Sequence, residues 1–303
     1  MRRIITALLM MLLLSTSLPA QADSETTTLD TAQMEALYLE RLAFLQDSIE
    51  STMNYETGEI ILGDGIATLQ VPQGYKYLNP EQSKYVMADL WGNPPTETLG
   101  MLFPEGSTIF DDQGYAIEIN FEDMGYVDDE DAEDIDYDEL LGSMQEDVKE
   151  NNEARSAAGY AAVDLVGWAS PPYYDAVNKK LHWAKELHFE GEEWNTLNYN
   201  IRVLGRKGVM VLNFISDMKQ LEQVEADLPL ILPSVNFNKG YQYSDFDPGI
   251  DEIAAVGIGG LIAGKVLAKA GFFALLAKFG KFIVVGLIAL LGGIRKFFSG
   301  RNA

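Results

Sequence analysis

Two histidines occur in this chain, close together in the segment KLHWAKELHF. The alternation of apolar and polar residues predicts a strand over residues 181–189, in which His182, Glu186 and His188 face the same side. Glu186 and His188 are two residues apart, a spacing that suits two ligands of one metal ion, whereas His182 lies roughly 13 Å from Glu186 along a strand. Glu186 and His188 are therefore candidate metal ligands. The alternative is that both histidines are ordinary residues of a strand edge or surface.

Two arginines in the segment NYNIRVLGRKG form a second candidate site. Arg202 falls in the middle of a predicted strand, and Arg206 falls in the turn that follows it. A guanidinium at such a position pairs with a carboxylate of the protein or binds an anionic ligand. We predict that Arg202 and Arg206 form an ion-pair or anion site.

The short motifs of the common enzyme classes do not occur in the sequence. It has no G-x-S-x-G elbow, no complete P-loop, no G-x-G-x-x-G after a predicted strand and no H-E-x-x-H. The absence of cysteine excludes disulfides, thiolate nucleophiles and zinc ribbons. No catalytic residue and no cofactor is predicted. A hydrolase that uses a pair of carboxylates stays an alternative, because 46 acidic residues make any pair easy to find.

Charge is distributed unevenly along the chain, which has a formal net charge of -24. All 46 acidic residues lie between Asp23 and Glu252, and the residues after Glu252 include seven basic ones. A strongly acidic body repels phosphate backbones, which excludes nucleic acid as a partner. The basic end instead suits an anionic lipid bilayer.

The first 22 residues have the pattern of a secretory signal peptide. Arg2 and Arg3 precede an apolar stretch of residues 4–14, which is too short to span a bilayer because about 20 residues are needed. Ala20 and Ala22 supply the small residues that signal peptidase accepts. We predict cleavage after Ala22 and an exported body over residues 23–250.

A membrane span is predicted over residues 272–294. The uncharged part, from Phe282 to Ile294, is 13 residues long, and extension back to Phe272 adds Lys278 and Lys281. Both lysines lie in the first half of the span, where long side chains can reach the outer interface.

The orientation of this span follows from the basic tail over residues 295–303. Arg295 and Lys296 come directly after the apolar stretch. Basic residues stay on the cytoplasmic side, so the exported body would lie in the periplasm of a bacterium, held at the inner membrane by a single C-terminal span.

The segment over residues 251–271 is rich in glycine and alanine. Gly260 and Gly264 have the spacing that brings two helices into close contact in lipid, which would allow a homo-oligomer through the tail. Three arrangements are open: an interfacial helix before a single span, a helical hairpin that dips into the bilayer, or a cationic segment lying on the membrane.

The body is predicted to be α+β, an antiparallel sheet with flanking helices. Apolar residues at helical spacing predict a first helix over residues 30–48 and another over 137–155. Alternating segments joined by glycine turns predict hairpins around residues 63–65 and 205–208. The acidic cluster over residues 128–139 is predicted to be a solvated loop, with calcium binding as the alternative.

Several separated segments resemble the DUF2167 family of uncharacterised bacterial membrane-anchored proteins. They are VGWASPPYYD, WAKELHF, LNYNIRVLGRKGVMVLNFIS and YSDFDPGIDEIAAVGIGGLIAGKVLAKAG. The resemblance implies an exported domain with a C-terminal membrane anchor, and it carries no catalytic residues with it. IATLQVPQGYKYL and LPSVNF are faintly similar to Mog1/PsbP-like domains, which have an antiparallel sheet flanked by helices.

Three functions compete at this stage. The first is a non-enzymatic interaction module with an envelope protein partner, which fits the anchor and the absence of a catalytic motif. The second is an envelope hydrolase that uses Asp and Glu residues. The third is a protein that inserts or oligomerises in the bilayer through its cationic, glycine-rich tail.

Overall fold

The computed structural model describes residues 31–93, 95–111, 114–157 and 159–264. Within these ranges the chain is an α+β protein with a large antiparallel sheet, which confirms that part of the predicted fold class. No helix among the described residues is long and apolar enough to cross a membrane. The predicted signal peptide, the predicted span over 272–294 and the basic tail lie outside the described residues.

Five helices flank the sheets. They are α1 (Thr31–Glu50), α2 (Pro80–Lys84, continued by a π-helical turn Tyr85–Leu90), α3 (Tyr137–Ala157), α4 (Leu221–Ile231) and α5 (Ile258–Ala263). Asn79 caps α2 by accepting a hydrogen bond from the Gln82 N–H, and Pro80 occupies its first turn, as is typical of a helix start. The first helix predicted from the sequence, over residues 30–48, is present as α1 with a shift of one to two residues at each end.

Eleven strands form the two sheets of the described residues. They are β1 (Tyr55–Glu56), β2 (Glu59–Leu62), β3 (Ala67–Gln70), β4 (Tyr75–Leu78), β5 (Gly100–Pro104), β6 (Ala116–Glu122), β7 (Val163–Asp175), β8 (Lys180–Phe189), β9 (Thr196–Leu204), β10 (Val209–Asp217) and β11 (Val235–Phe237). The large sheet has the order β1-β4-β5-β6-β10-β9-β8-β7, and the small one has the order β11-β3-β2. Every pairing within these sheets is antiparallel.

The two faces of the large sheet are covered differently. One face packs against α4 and the small sheet around side chains such as Tyr199, Phe214 and Val224. The other face carries two separate apolar clusters: one beside α2, around Met101 and Phe103, and one beneath α3 and α5. The middle of that second face lies between the two clusters, and it positions the site described below.

The packed body extends beyond the predicted boundary at residue 250. Helix α5 is buried among Leu140 and Met144 of α3 and the apolar residues of β8 to β10. Gly260 is buried within α5, and Gly264 ends the helix in a left-handed conformation with φ of 70°. In this arrangement Gly260 contacts the body, and it can meet a second helix in lipid only if α5 leaves the core.

The acidic segment after Val127 is not simply a solvated loop. Asp129 accepts hydrogen bonds from Tyr174 (2.6 Å), Lys179 (2.7 Å) and Tyr243 (3.0 Å), which holds its pKa below the usual range despite partial burial. Asp136 accepts the backbone N–H groups of residues 138 and 139 at 3.0 Å and begins α3. These carboxylates hold neighbouring segments of the fold together.

Candidate functional site

The histidines are hydrogen-bonded within the protein. The Nδ1 atom of His188 lies 2.8 Å from Oδ1 of Asn195, and Nδ2 of Asn195 donates to Glu186 at 2.5 Å. Asn195 therefore joins the two candidate metal ligands. His182 bonds the hydroxyl of Tyr199 through Nδ1 at 2.9 Å, and burial lowers the pKa of its ring. Across the described ranges, no three His, Asp or Glu side chains are placed to hold a metal ion.

Arg206 forms an ion pair at the turn between β9 and β10. Its Nε donates to Asp251 at 2.6 Å, and the Asp251 side chain is 3% exposed. The pKa of the Asp251 carboxyl is lowered by this hydrogen bond. The pair ties the turn to the chain that leads into α5.

Arg202 has a different environment from Arg206. In the part of the chain that the structure describes, no carboxylate oxygen lies within ion-pair distance of its guanidinium. Its Nε is buried without a hydrogen-bond partner, and its guanidinium carbon lies 5.3 Å from the centre of the Trp183 ring. The structure thus separates the two arginines that the sequence grouped together.

A row of side chains crosses the large sheet next to Arg202. Cα partners on adjacent antiparallel strands point to the same face, and the register gives one continuous row: Met101, Glu118, Asn213, Asn200 and Trp183. The ends of the row belong to the two apolar clusters. The middle of the row is polar and buried or partly buried, with Asn200 5% exposed.

The amide side chains in this region form a chain of hydrogen bonds in which each one donates to the next. Asn200 donates to Oδ1 of Asn198 at 2.9 Å, Asn198 donates to Oδ1 of Asn213 at 2.8 Å, and Asn213 hydrogen-bonds Glu118. The amide chain ends on the carboxylate, whose pKa is nevertheless raised by burial. We call the residues Glu118, Lys185, Asn198, Asn200, Arg202 and Asn213 the polar face.

On β8 and at Arg202 of β9, the polar groups of this side of the sheet are all hydrogen-bond donors. Trp183 is 1% exposed, and its Nε1 is buried without a hydrogen-bond partner in the part of the chain that the structure describes. Lys185 is the register partner of Asn198 and lies on the same side of the sheet, where burial and the nearby charge of Arg202 lower its pKa to about 8. We call Trp183, Lys185 and Arg202 the donor corner.

A cleft of about 330 Å³ opens next to the polar face. It is lined by two tryptophans, Trp91 and Trp194, and by the carboxylates of Asp111, Glu192 and Asp217. Its wall also includes Ala116 and Ile215, whose row across the sheet continues to Asn198 and Lys185. The cleft and the polar face are therefore adjacent on one side of the sheet.

Comparison with known families identifies the chain. A family model described as "Protein of unknown function (DUF2167)" matches residues 54–292. The chain belongs to the DUF2167 family. The match confirms the resemblance seen in the sequence, and it covers the polar face, the donor corner and the cleft.

Two solved structures are distantly similar to this DUF2167 chain. Cyanobacterial PsbP (CyanoP) from Synechocystis has 8% identity and a TM-score of 0.32, covering 61% of this chain and 92% of its own. The Ran-binding protein Mog1p from Saccharomyces cerevisiae has 12% identity and a TM-score of 0.34, covering 65% of this chain and 100% of its own. No curated protein matches the sequence.

Sequence reasoning found one member of this site, Arg202, and missed the others. The signal was present in the strands: polar residues occupy alternate positions 118, 120 and 122 in β6 and 198, 200 and 202 in β9. Alternation of this kind is typical of any solvated sheet face. The feature that distinguishes the site is burial of the polar groups, which depends on the packing of the whole fold and not on the pattern of any one strand.

Proposed function

We propose that this DUF2167 chain is a membrane-anchored binding module of the bacterial envelope that recognises its partner without chemical turnover. The exported body would lie in the periplasm, held at the inner membrane by the span over residues 272–294, with the tail over 295–303 in the cytoplasm. The signal-peptide pattern, the apolar stretch and the basic residues behind it support this placement.

The polar face is the observation that carries this proposal. It lies between two apolar clusters, and its polar side chains are buried or partly buried, with Asn200 only 5% exposed. Two polar atoms there, Nε1 of Trp183 and Nε of Arg202, have no hydrogen-bond partner among the described residues. Buried donors in native proteins are nearly always paired, so unpaired ones favour a bound ligand or partner.

A hydrolase has less support from the same geometry. A pair of acid and base carboxyls needs to share one pocket, with the pKa of one raised. The neighbouring cleft holds the carboxylates of Asp111, Glu192 and Asp217, but the carboxyl whose pKa is raised by burial, Glu118, is hydrogen-bonded by Asn213 and does not line the cleft. His182 and His188 bond Tyr199 and Asn195 through Nδ1, and neither arrangement is that of a serine nucleophile and its base.

The attachment of the membrane-proximal segment supports a module of fixed orientation. The backbone of Tyr126 pairs with the segment around Ile253, and the Arg206–Asp251 pair holds the chain just before it. Helix α5 then packs into the core. In an alternative in which the glycine-rich tail acts by itself, α5 would first have to leave this core.

Site-specific photo-crosslinking of the full-length chain in its own membrane tests the proposal. One form carries a photoreactive amino acid at Ile215, which is the register partner of Asn198. The matched form carries it at Val177, which is 89% exposed in the turn between β7 and β8. We expect one defined adduct, identified by mass spectrometry, from position 215 only. Equal adducts from both positions, or turnover of an envelope substrate by the purified chain, would contradict the proposal.

A further inference from the structure

Two hydrogen-bond donors of the donor corner find no acceptor among the described residues, although Nη1 of Arg202 lies 3.4 Å from the carbonyl oxygen of Ile201. Trp183 carries a donor and no acceptor, and the same holds for the guanidinium of Arg202 and for the protonated ammonium of Lys185. Nε1 of Trp183 and Nε of Arg202 are buried and unpartnered in the described chain. A group that completes this corner has to bring acceptor atoms.

The corner also has positive charge without a paired negative charge. Among the described residues, no carboxylate oxygen lies within 4.0 Å of Lys185 or Arg202. The two cations act on each other, since the charge of Arg202 contributes to the lowered pKa of Lys185. A negative charge placed between them would add two attractions that outweigh this repulsion.

Among the described residues, the acidic groups of the same sheet face form no ion pair with the donor corner. Glu118 and Glu122 favour the charged form of Arg202 from a distance. Glu118 on β6 is hydrogen-bonded by Asn213 on β10. In the row across the sheet, β10 and β9 lie between Glu118 and Trp183 on β8. The amide chain from Asn200 to Asn213 also points its donors toward Glu118. Glu118 and Glu122 therefore act on Arg202 electrostatically without forming an ion pair with it in the described chain.

We propose that the donor corner of Trp183, Lys185 and Arg202 is a binding site for an anionic oxygen group, a carboxylate or a phosphate. This inference rests on the proposed binding function and names the chemistry of its ligand. The planar guanidinium suits two oxygens of one group, the ammonium serves as a point charge, and the indole N–H adds a directed hydrogen bond.

The test uses the full-length chain in lipid nanodiscs with its four tryptophans replaced by 5-fluorotryptophan. Fluorine NMR then follows each tryptophan, and the variant W183F assigns the signal of the corner. Inorganic phosphate and acetate are titrated in phosphatidylcholine nanodiscs, and a separate sample has phosphatidylglycerol nanodiscs in phosphate-free buffer. We expect a saturable shift of the Trp183 signal in at least one of these samples.

Charge-matched variants distinguish the loss of this site from a general loss of positive charge. Because a hydrogen bond to a charged group contributes enough for about a tenfold change in affinity, K185Q and R202Q should each weaken binding by about tenfold or more. The controls K207Q and R41Q remove the same charges from exposed positions and should bind as the unmodified chain does. Retained signals of the other tryptophans show that each variant is folded.

The outcomes separate the two sources of the anion. A shift in phosphatidylglycerol nanodiscs alone assigns the site to a lipid headgroup, and a shift with phosphate or acetate alone assigns it to a soluble anion. No shift of the Trp183 signal in any sample, or unchanged affinity in R202Q and K185Q, overturns the anion site. If a defined adduct still forms from position 215, the binding module stands and only the ligand class is wrong.

Discussion

The carboxylate of Asp131 accepts a hydrogen bond from the backbone N–H of Ile258 at 3.0 Å, across 127 residues of chain. Its second oxygen lies 3.4 Å from the N–H of Gly259. A Cβ atom on Gly257 would come within 2.4 Å of the same carboxylate, so the close approach requires glycine there. One acidic side chain therefore fixes the N-terminal end of α5 on the body.

Substitution of Asp131 by alanine is expected to loosen α5. Loss of a side-chain acceptor at a helix N-terminus costs about 1 kcal/mol, and the freed N–H groups lie in a packed region. The midpoint temperature of thermal unfolding should therefore fall, and the backbone amides of residues 258–263 should exchange hydrogen faster. D134A removes an exposed carboxylate from the same acidic segment and should leave both measurements unchanged. Equal effects of the two variants would show that Asp131 acts only through overall charge.

Local pattern was enough to predict most of the described fold. The β9–β10 hairpin has alternating residues on both sides of a glycine-containing turn, and it forms with its turn at the predicted residues 205–208. The predicted helices at 30–48 and 137–155 are also present, as α1 and α3, because caps and apolar spacing are local properties.

Features that depend on contacts between distant parts of the chain could not be predicted from local pattern. Helix α5 has a sequence rich in glycine and apolar residues, which suits lipid and a protein core equally. Its place was decided by contacts with Leu140 and Met144, more than a hundred residues earlier. The donor corner likewise depends on the register between β8 and β9, which places Trp183 opposite Asn200. Pairing of distant strands leaves little trace in any one segment.

Gly208 is expected to tolerate no side chain. A Cβ atom there would lie 2.0 Å from the backbone carbonyl oxygen of Glu122, which cannot move without breaking the β6–β10 pairing. G208A should therefore lower the free energy of unfolding by about 3 kcal/mol or more. G106A adds the same methyl group where nothing lies within 4 Å, so it serves as the matched control in thermal unfolding.

Glu118 should make stability decline as pH rises from acid toward neutral. Burial raises the pKa of its carboxyl above the usual value of 4.5, so the folded state binds the proton more tightly than the unfolded chain. Stability from this group is present at low pH and is lost as pH rises through the raised pKa.

The variant E118Q tests this sign. It should be more stable than the unmodified chain at pH 7, by about 1 kcal/mol, because it removes a desolvated charge. The difference should shrink toward pH 4. E105Q changes an exposed carboxylate and should show no such trend in thermal unfolding followed at both pH values. A larger benefit of E118Q at acid pH would contradict the assignment.

Lys185 should lower the stability of the free protein. Its pKa is lowered to about 8, first by burial and then by Arg202, so the unfolded chain binds this proton more tightly. Stability should rise as pH increases from about 8 toward the usual lysine value of 10.5, where the folded and unfolded chains both lose the proton. K185M should remove this rise and gain about 1–3 kcal/mol at pH 7.

The control K207M changes an exposed lysine and should alter stability by less than about 0.5 kcal/mol. The comparison also bears on function, because a residue that destabilises the free fold is typical of a binding site. If K185M is more stable and loses the anion response of Trp183, then Lys185 contributes to anion binding and does not stabilise the fold. If K185M is less stable, the ammonium has a structural partner, and the donor corner is part of the scaffold.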